Sequence, residues 1–452
     1  MDRLSTTNEL WLGKPAPRYT SYPPATAFHD GVMVYDYEDA IVALPADEAV
    51  SLYLHIPFCR DLCLYCGCNT TITHRDERVT SYLGSLQNEM EMISGLSEKP
   101  RRIIRLHLGG GTPNILMDAS FKELFESIHQ YFDLSACEEV AIELDPRQIS
   151  KKQARTLAQC GITRTSLGVQ DFNPAVQKII HREQPIDLIK ESVQNLRDNG
   201  IRHINFDLMY GLPRQTPDTM AETTRQAIAM KPERIALFSY AHVPQIKKHQ
   251  EALEAYGLPD PQTSVAMEWK ARLELTEARY VEVGMDHFAL PQDRLVKALQ
   301  DGKLHRNFQG YTDDTSTVLL GLGASSISRI KNSYFQNERD IGAYQNLIQS
   351  RELAVVRGHR MNAEDRLRAA IIEDLMCYMS CDLEEVCRKH HYSLGTLARE
   401  FDSLKPFIKA GLVIHQEHFI QLATPHRMAA RVIAQIFDRY ASREATVSSR
   451  AA

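Results

Sequence analysis

Between residues 50 and 285, short apolar runs rich in β-branched residues alternate with stretches of helical periodicity. That alternation narrows the fold more than any other feature of the chain. Strands are predicted over Ser51–Ile56, Arg102–Leu108, Glu139–Leu144, Thr163–Val169, His203–Met209 and Arg234–Tyr240. Helical patterns over Phe121–Phe132, Lys151–Gln159, Ile186–Asp198, Pro217–Met230 and Thr263–Ala278 separate most of them. A helical crossover returns the chain to the same end of the sheet, so successive strands lie parallel. Six such units predict an α/β fold, a partial (β/α)6 barrel over residues 46–290, with a doubly wound sheet as the second solution.

Parallel sheets build sites at the C-terminal ends of their strands. Polar or glycine residues crowd those ends here: His55, Gly109–Gly111, Glu143, Asp145, Gln170, Asp171 and Asp207. A single polar residue there is usually a turn or helix cap. Five strand ends doing so together predict a site. Beside them lies the spacing C-x3-C-x2-C, made by Cys59, Cys63 and Cys66, with Cys68 one residue beyond. Three soft thiolates on a short loop can hold a [4Fe–4S] cluster and leave one iron open. Structural zinc is the competing reading, but it draws paired cysteines from two separate segments. Cys137 and Cys160 lie in or beside ordinary secondary structure and supply no second pair. Tyr65 offers either packing or an aromatic wall for an adenine base. The run Gly109-Gly110-Gly111-Thr112 reads as a tight turn or as a cradle that a ligand approaches without meeting a Cβ. Cys377 and Cys381 fall at i and i+4 of a predicted helix and read as packed thiols. His242, His287 and His305 read as structural.

Three further regions flank the strands of the barrel. Residues 1–45 form an arm too rich in proline for a helix, 291–359 a barrel-edge segment on the substrate side, and 360–452 a mainly helical domain. A hairpin over Gly411–Ile414 and Phe419–Leu422 gives that last domain a winged-helix-like pattern. The formal net charge of −6 gives a nucleic-acid partner no support. Nine cysteines, four of them within Cys59–Cys68, fit a reducing compartment better than a disulfide framework. With no apolar signal segment and no spanning run, a soluble cytoplasmic protein without a membrane partner is expected.

Taken together, the cysteine spacing with an aromatic before its third member, and a glycine run after the second strand, resemble the radical S-adenosylmethionine (SAM) superfamily. Within it, the chain resembles the oxygen-independent coproporphyrinogen III oxidase family. The stretches that carry this are Pro17–Pro23, Tyr53–Cys59, Cys66–Asn69, Gly168–Phe172, Asp207–Pro213, Gly284–Phe288 and Arg306–Tyr311. The resemblance implies oxidative decarboxylation of two propionates of coproporphyrinogen III to vinyl groups, without oxygen. It implies a [4Fe–4S] cluster on Cys59, Cys63 and Cys66, a SAM on the open iron cleaved to a 5′-deoxyadenosyl radical, and a second SAM beside it. By position, Tyr53, Gly110, Glu143 and Ile327 match residues around the first SAM. Tyr65, Gly111, Thr112, Gln170, Arg182, Asp207 and Ala241 match those around the second. Cys68 is expected to line the site as a catalytic residue, although spacing alone leaves a ligand swap open. Tyr65 stands where the family more often has Phe. Arg18 and Arg306 are candidates for the substrate carboxylates. A flavodoxin- or ferredoxin-type electron donor and a monomeric state are further expectations. A haem chaperone or haem-degrading methyltransferase of the same superfamily is the nearer rival; the chaperone type would lack the Arg18–Pro23 arm and Cys68. A zinc-bearing winged-helix regulator is the rival from another class.

Overall fold

The predicted strands form the centre of one large twisted sheet in a computed structural model that describes residues 10–441. The arm's first nine residues and the chain's last eleven, 442–452, lie outside the described residues. Strands β1 (Val50–Ile56), β2 (Arg101–Gly110), β3 (Glu139–Leu144), β4 (Arg164–Gln170), β5 (His203–Tyr210) and β6 (Arg234–Ser239) run parallel, in chain order across the sheet. Between them lie α2 (Asp76–Gly95), α3 (Asp118–Tyr131), α4 (Lys151–Gln159), α5 (Ile186–Asp198) and α6 (Pro217–Ala229), with α7 (Pro261–Glu277) after β6. Local chemistry sets several starts. Ser150 accepts from the Gln153 N–H, Thr216 forms a capping box with Thr219, and Asp260 accepts from Thr263.

The sheet does not close. Beyond β6 come the antiparallel strands β7 (Val281–Val283) and β8 (His287–Ala289). On the other edge β9 (Val318–Leu322) pairs parallel with β1, followed by the antiparallel β10 (Ile327–Ile330), β11 (Ser333–Asn337) and β12 (Val355–Arg360). The fold is thus an open partial barrel whose sheet is continued by residues 318–360.

Alternation along each strand divides the two faces. Leu52, Leu54, Leu106, Leu108, Ile142, Leu167, Phe206 and Leu208 are buried in the main apolar core. The intervening residues carry a polar set: Arg105, Glu139, Arg164 and Arg234 near the strand starts, and Glu143, Gly168 and Asp207 near the strand ends. Arg164 pairs with Glu139 at 2.7 Å, Arg234 with Asp293 at 2.8 Å and Arg105 with Asp313 at 3.1 Å. Burial raises the Glu139 pKa, but the Arg164, Arg234 and Arg105 charges outweigh it and hold the carboxyl at about 2.

Two sequence expectations change. The arm is not extended throughout, because Val34–Val42 forms helix α1, whose Tyr37 and Ile41 are buried. Cys381 does not share a helix with Cys377. Helix α8 (Ala363–Tyr378) stops where Met379 takes a left-handed φ of 59°, and Cys381 falls on β13 (Ser380–Asp382). Both thiols are buried. The expected hairpin is present as β14 (Val413–Gln416) and β15 (Phe419–Leu422), with β13 pairing against β15. Among the described residues, no helix is long and apolar enough to cross a membrane.

One buried carboxyl ties α2 to the β9–β10 turn. Glu89 accepts from the Gly323 N–H at 2.7 Å, the Tyr344 hydroxyl at 2.7 Å and the Asn337 amide at 2.6 Å. Burial pushes it up to about 7 despite these donors. Glu89→Ala would leave all three donors unmet beside a new cavity. It is expected to lower the unfolding free energy by about 3 kcal/mol or more, measured by chemical denaturation.

Candidate active site

The cysteine loop leaves the rim of β1 and is closed at its base. Phe58–Cys59 pairs with Thr71–Ile72, the Thr71 N–H donates to the Pro57 carbonyl at 2.7 Å, and Thr73 donates to the Cys59 carbonyl at 3.0 Å. From outside, Gln250 Nε2 donates to the Tyr65 carbonyl at 2.9 Å, and Lys247 Nζ to that of Cys68 at 2.6 Å. His249 Nε2 lies 2.8 Å from the Cys66 carbonyl. These contacts fix a loop that has little regular structure of its own.

The glycine run seats this loop. The Gly111 N–H donates to the Ile56 carbonyl at 2.9 Å, and Thr112 to that of Phe58 at 2.8 Å. A Cβ on Gly111 would come within 2.6 Å of the Phe58 carbonyl oxygen and Thr70 Oγ1. Gly110 has a φ of 117°, and a Cβ there would come within 2.7 Å of the His55 ring. Only glycine fits either position.

A cavity of about 850 Å³ opens against the loop and the strand ends. Cys59, Cys63, Cys66, Cys68, Tyr65, Gly111, Thr112, Glu143, Gln170, Arg182, Asp207 and Ala241 all line it. Tyr53, Gly110 and Ile327 are not among its lining residues. Tyr53 sits behind the wall, its hydroxyl 3.0 Å from His55 Nδ1, while His55 Nε2 lies 3.2 Å from the Asn69 carbonyl. Burial lowers the His55 pKa, so a neutral ring accepts from Tyr53 and donates to Asn69. Gly110 turns its N–H to Glu143 Oε2 at 3.2 Å. Ile327 packs against the Phe28, Tyr334 and Met361 cluster.

Charges on the cavity wall are held in fixed partnerships. Burial raises the Glu143 pKa, but hydrogen bonds from His107 and the Gly110 N–H more than offset this and keep it below the usual carboxylate range. Arg182 donates to the Gly168 carbonyl at 2.7 Å, to Asp145 at 3.3 Å and to Cys63 Sγ at 3.4 Å. Gln170 takes a φ of 65° at an irregularity in the β4–β5 pairing. Asp207 accepts from Ser166 at 2.9 Å and Asn205 at 2.8 Å. Burial still pushes it up to about 6, with the Glu143 charge adding to the rise.

The donor set suits a polynuclear cluster. Cys59 Sγ has the Thr112 and Thr70 hydroxyls each at 3.2 Å, which partly offset the rise that burial imposes on its thiol. A hydrogen bond from Cys68 holds Cys66 down to about 6 and pushes Cys68 up. Among the described residues, no three His, Cys, Asp or Glu side chains converge on a single ion position. Cys59, Cys63 and Cys66 line one wall of the cavity, and three thiolates on one short loop are a donor set that a [4Fe–4S] cluster takes.

Several residues at this edge were not singled out from sequence. Arg147 pairs at 2.6 Å with Asp145, one of the strand-end residues named above, and Ser166 and Asn205 orient Asp207. Arg147 and Ser166 line the cavity while Asn205 reaches it through Ser166 and Asp207; each is a common surface residue type. Asp171, counted above with the strand ends, is fully buried and accepts from Thr223, Gln215 and the Asn173 N–H; it serves the scaffold. His242 and His305 pair with Glu254 and Glu373, whereas His287 lines a neighbouring pocket.

Residues 53–227 match the Radical SAM superfamily profile. The chain is 39% identical over 435 residues to the oxygen-independent coproporphyrinogen III oxidase of Bradyrhizobium diazoefficiens, covering 96% of this chain and 97% of that one. It is 40% identical over 441 residues to the enzyme of that name from Paracoccus denitrificans, covering 97% and 98%. The solved structure of coproporphyrinogen III oxidase from Escherichia coli, described as a radical SAM enzyme, superimposes with a TM-score of 0.89. The two share 36% identity over 94% of this chain and 97% of that one.

The raised Asp207 pKa carries a pH signature. Below the ordinary carboxylate range both folded and unfolded chains hold the proton. As pH climbs from about 4 to 6 only the folded chain keeps it, so stability falls through that window and is flat above it. Asp207→Asn removes the buried charge, keeps the oxygen that accepts from Asn205, and turns the Ser166 hydroxyl from donor to acceptor. Above about pH 6.5 the apoprotein variant is expected to be more stable than the wild type by about 2–3 kcal/mol, a gap that closes near pH 4. Denaturation midpoints across pH check this.

Proposed function

The chain belongs to the oxygen-independent coproporphyrinogen III oxidase family of the radical SAM superfamily, and on that footing we propose that it forms protoporphyrinogen IX from coproporphyrinogen III. Two propionates become vinyl groups, each losing one hydrogen atom from its β-carbon, one CO2 and one electron. The observation that carries the reading is the single cavity walled by Cys59, Cys63 and Cys66 together with Glu143, Arg182 and Asp207.

When bound, a [4Fe–4S] cluster and SAM would supply the one-electron chemistry that abstracts the hydrogen atom. Cys59, Cys63 and Cys66 would hold the cluster. Cys68 lines the cavity, and its thiol stays protonated while it donates to Cys66. Glu143, ionised, would accept a hydrogen bond from the ammonium group of the first SAM next to Gly110, with Tyr53 and Ile327 backing that wall. Tyr53 acts through His55, which secures the end of the cysteine loop at Asn69. Arg182 would offer its remaining N–H to the carboxylate of a second SAM, and Gln170 and Asp207 would take hydroxyl or amino groups. Tyr65, Gly111, Thr112 and Ala241 supply wall and close backbone approach for that molecule. A small one-electron carrier of the flavodoxin or ferredoxin type, acting on a monomer, completes the reading.

Anaerobically reconstituted protein, given SAM, a reductant and coproporphyrinogen III, is expected to yield protoporphyrinogen IX. Alanine at Cys59, Cys63 or Cys66 removes both product and the broad iron–sulfur absorption near about 400 nm, while Cys68→Ala keeps the absorption. Wild-type protein that cleaves SAM yet leaves the porphyrinogen unchanged would refute the assignment.

A further inference from the structure

Beside the large cavity lies a pocket of about 190 Å³, with Arg18 and Phe238 lining both. No residue of the cysteine loop lines it. Its charged lining is Arg18, Arg306 and Arg431 against Asp286 and Glu268. The Arg306 side chain is 6% exposed, yet its Nε and Nη1 have no hydrogen-bond partner; Arg105 leaves the same two atoms unmet but pairs with Asp313 at 3.1 Å, a close carboxylate that Arg306 lacks. The nearest carboxylate oxygen, Oδ2 of Asp286, is 4.0 Å from Nη2, while Asp286 Oδ1 is engaged by His287 Nδ1 at 2.7 Å. The guanidinium rests 4.4 Å from the Tyr311 ring centroid, a contact that fixes its plane; burial lowers its pKa, but Tyr311 and Asp286 outweigh burial and raise it.

Arg18 makes one long contact, 3.4 Å to the Ser239 carbonyl. Arg431 donates to the Ala16 and Pro17 carbonyls and so fastens the segment that carries Arg18. Burial pushes Glu268 up to about 7, so at neutral pH it cancels only part of the positive charge. Burial lowers the Arg18 and Arg431 pKa values, and repulsion among the arginines adds to this. Buried donors without acceptors are rare in folded proteins because they weaken the fold. Here they stand beside an open pocket with surplus positive charge.

We propose that this pocket receives a carboxylate of the substrate that is not reacting, with Arg306 and Arg18 as its donors. The inference rests on the function proposed above. A tetracarboxylate macrocycle in the large cavity would turn one arm toward the cysteine wall and another past Phe238. SAM also carries a carboxylate, but the pocket stands away from the cysteine loop, and Arg182 already offers that group a partner.

The test compares wild type, Arg306→Gln and Arg306→Lys, binding coproporphyrin III or its tetramethyl ester, with melting temperature and SAM affinity measured alongside. Arg306→Gln is expected to weaken the acid about 10- to 100-fold, leave the ester's affinity unchanged, and keep or raise the melting temperature; Lys should recover part of the affinity. Unchanged acid affinity overturns the proposal. So does equal weakening of acid and ester with a lower melting temperature, which marks a scaffold arginine. A fall in SAM affinity with porphyrin binding intact overturns it too. Wild-type turnover of coproporphyrinogen III reports on the function separately from this acid-against-ester comparison.

Discussion

The cysteine loop is held by hydrogen bonds to the rest of the chain, and the geometry of the site depends on them. A loop leaving a parallel strand has backbone groups that no ladder satisfies. Here Gly111 and Thr112 meet the carbonyls of Ile56 and Phe58, and Thr71 and Thr73 meet those of Pro57 and Cys59. On the outside, Gln250 and Lys247 meet the carbonyls of Tyr65 and Cys68, and His249 meets that of Cys66. Three thiols therefore keep their spacing around one wall through contacts that belong to the protein. The same closeness demands glycine at 110 and 111, where any side chain would strike His55 or the loop itself.

Strand alternation then distributes the charge. On the polar face, residues two apart along a strand rise from a paired ionic layer toward the cavity. Arg105, Glu139, Arg164 and Arg234 occupy the lower layer, and Glu143 and Asp207 the upper one. The lower layer is neutralised mostly by ion pairs. The upper layer holds one carboxylate kept ionised by His107 and Gly110, and another pushed toward neutrality by burial. Two acids a short distance apart thus differ in charge state because their donors differ. The pocket around Arg306 differs from the lower layer in that its unmet donors have no carboxylate closer than 4.0 Å, whereas Arg105, Arg164 and Arg234 each hold one at 3.1 Å or less.

Much of this was legible in the sequence. The predicted strands match the observed ones to within two residues at either end, because buried parallel strands read as short apolar runs flanked by turn residues. The helices at Lys151–Gln159 and Ile186–Asp198 fell where their periodicity put them. The cysteine spacing and the glycine run, being local, pointed to the loop and its seat. Asp171 misled because a buried structural carboxylate and a site carboxylate look alike at a strand end. Helix α1 was hidden by the prolines before it, and Cys381 by a helix that stops at Tyr378, three residues short of it.

The sequence by itself determined the parallel α/β scaffold, the three thiols on one loop and the glycines that let the loop approach. These follow from period, spacing and residue size, which are properties of neighbours along the chain. Tertiary structure alone decided which side chains share the cavity, that Tyr53 and Ile327 stand behind its wall, and that Arg18, Arg306 and Arg431 meet. Those depend on register and on contacts between residues as far apart as 18 and 431, which no local pattern encodes.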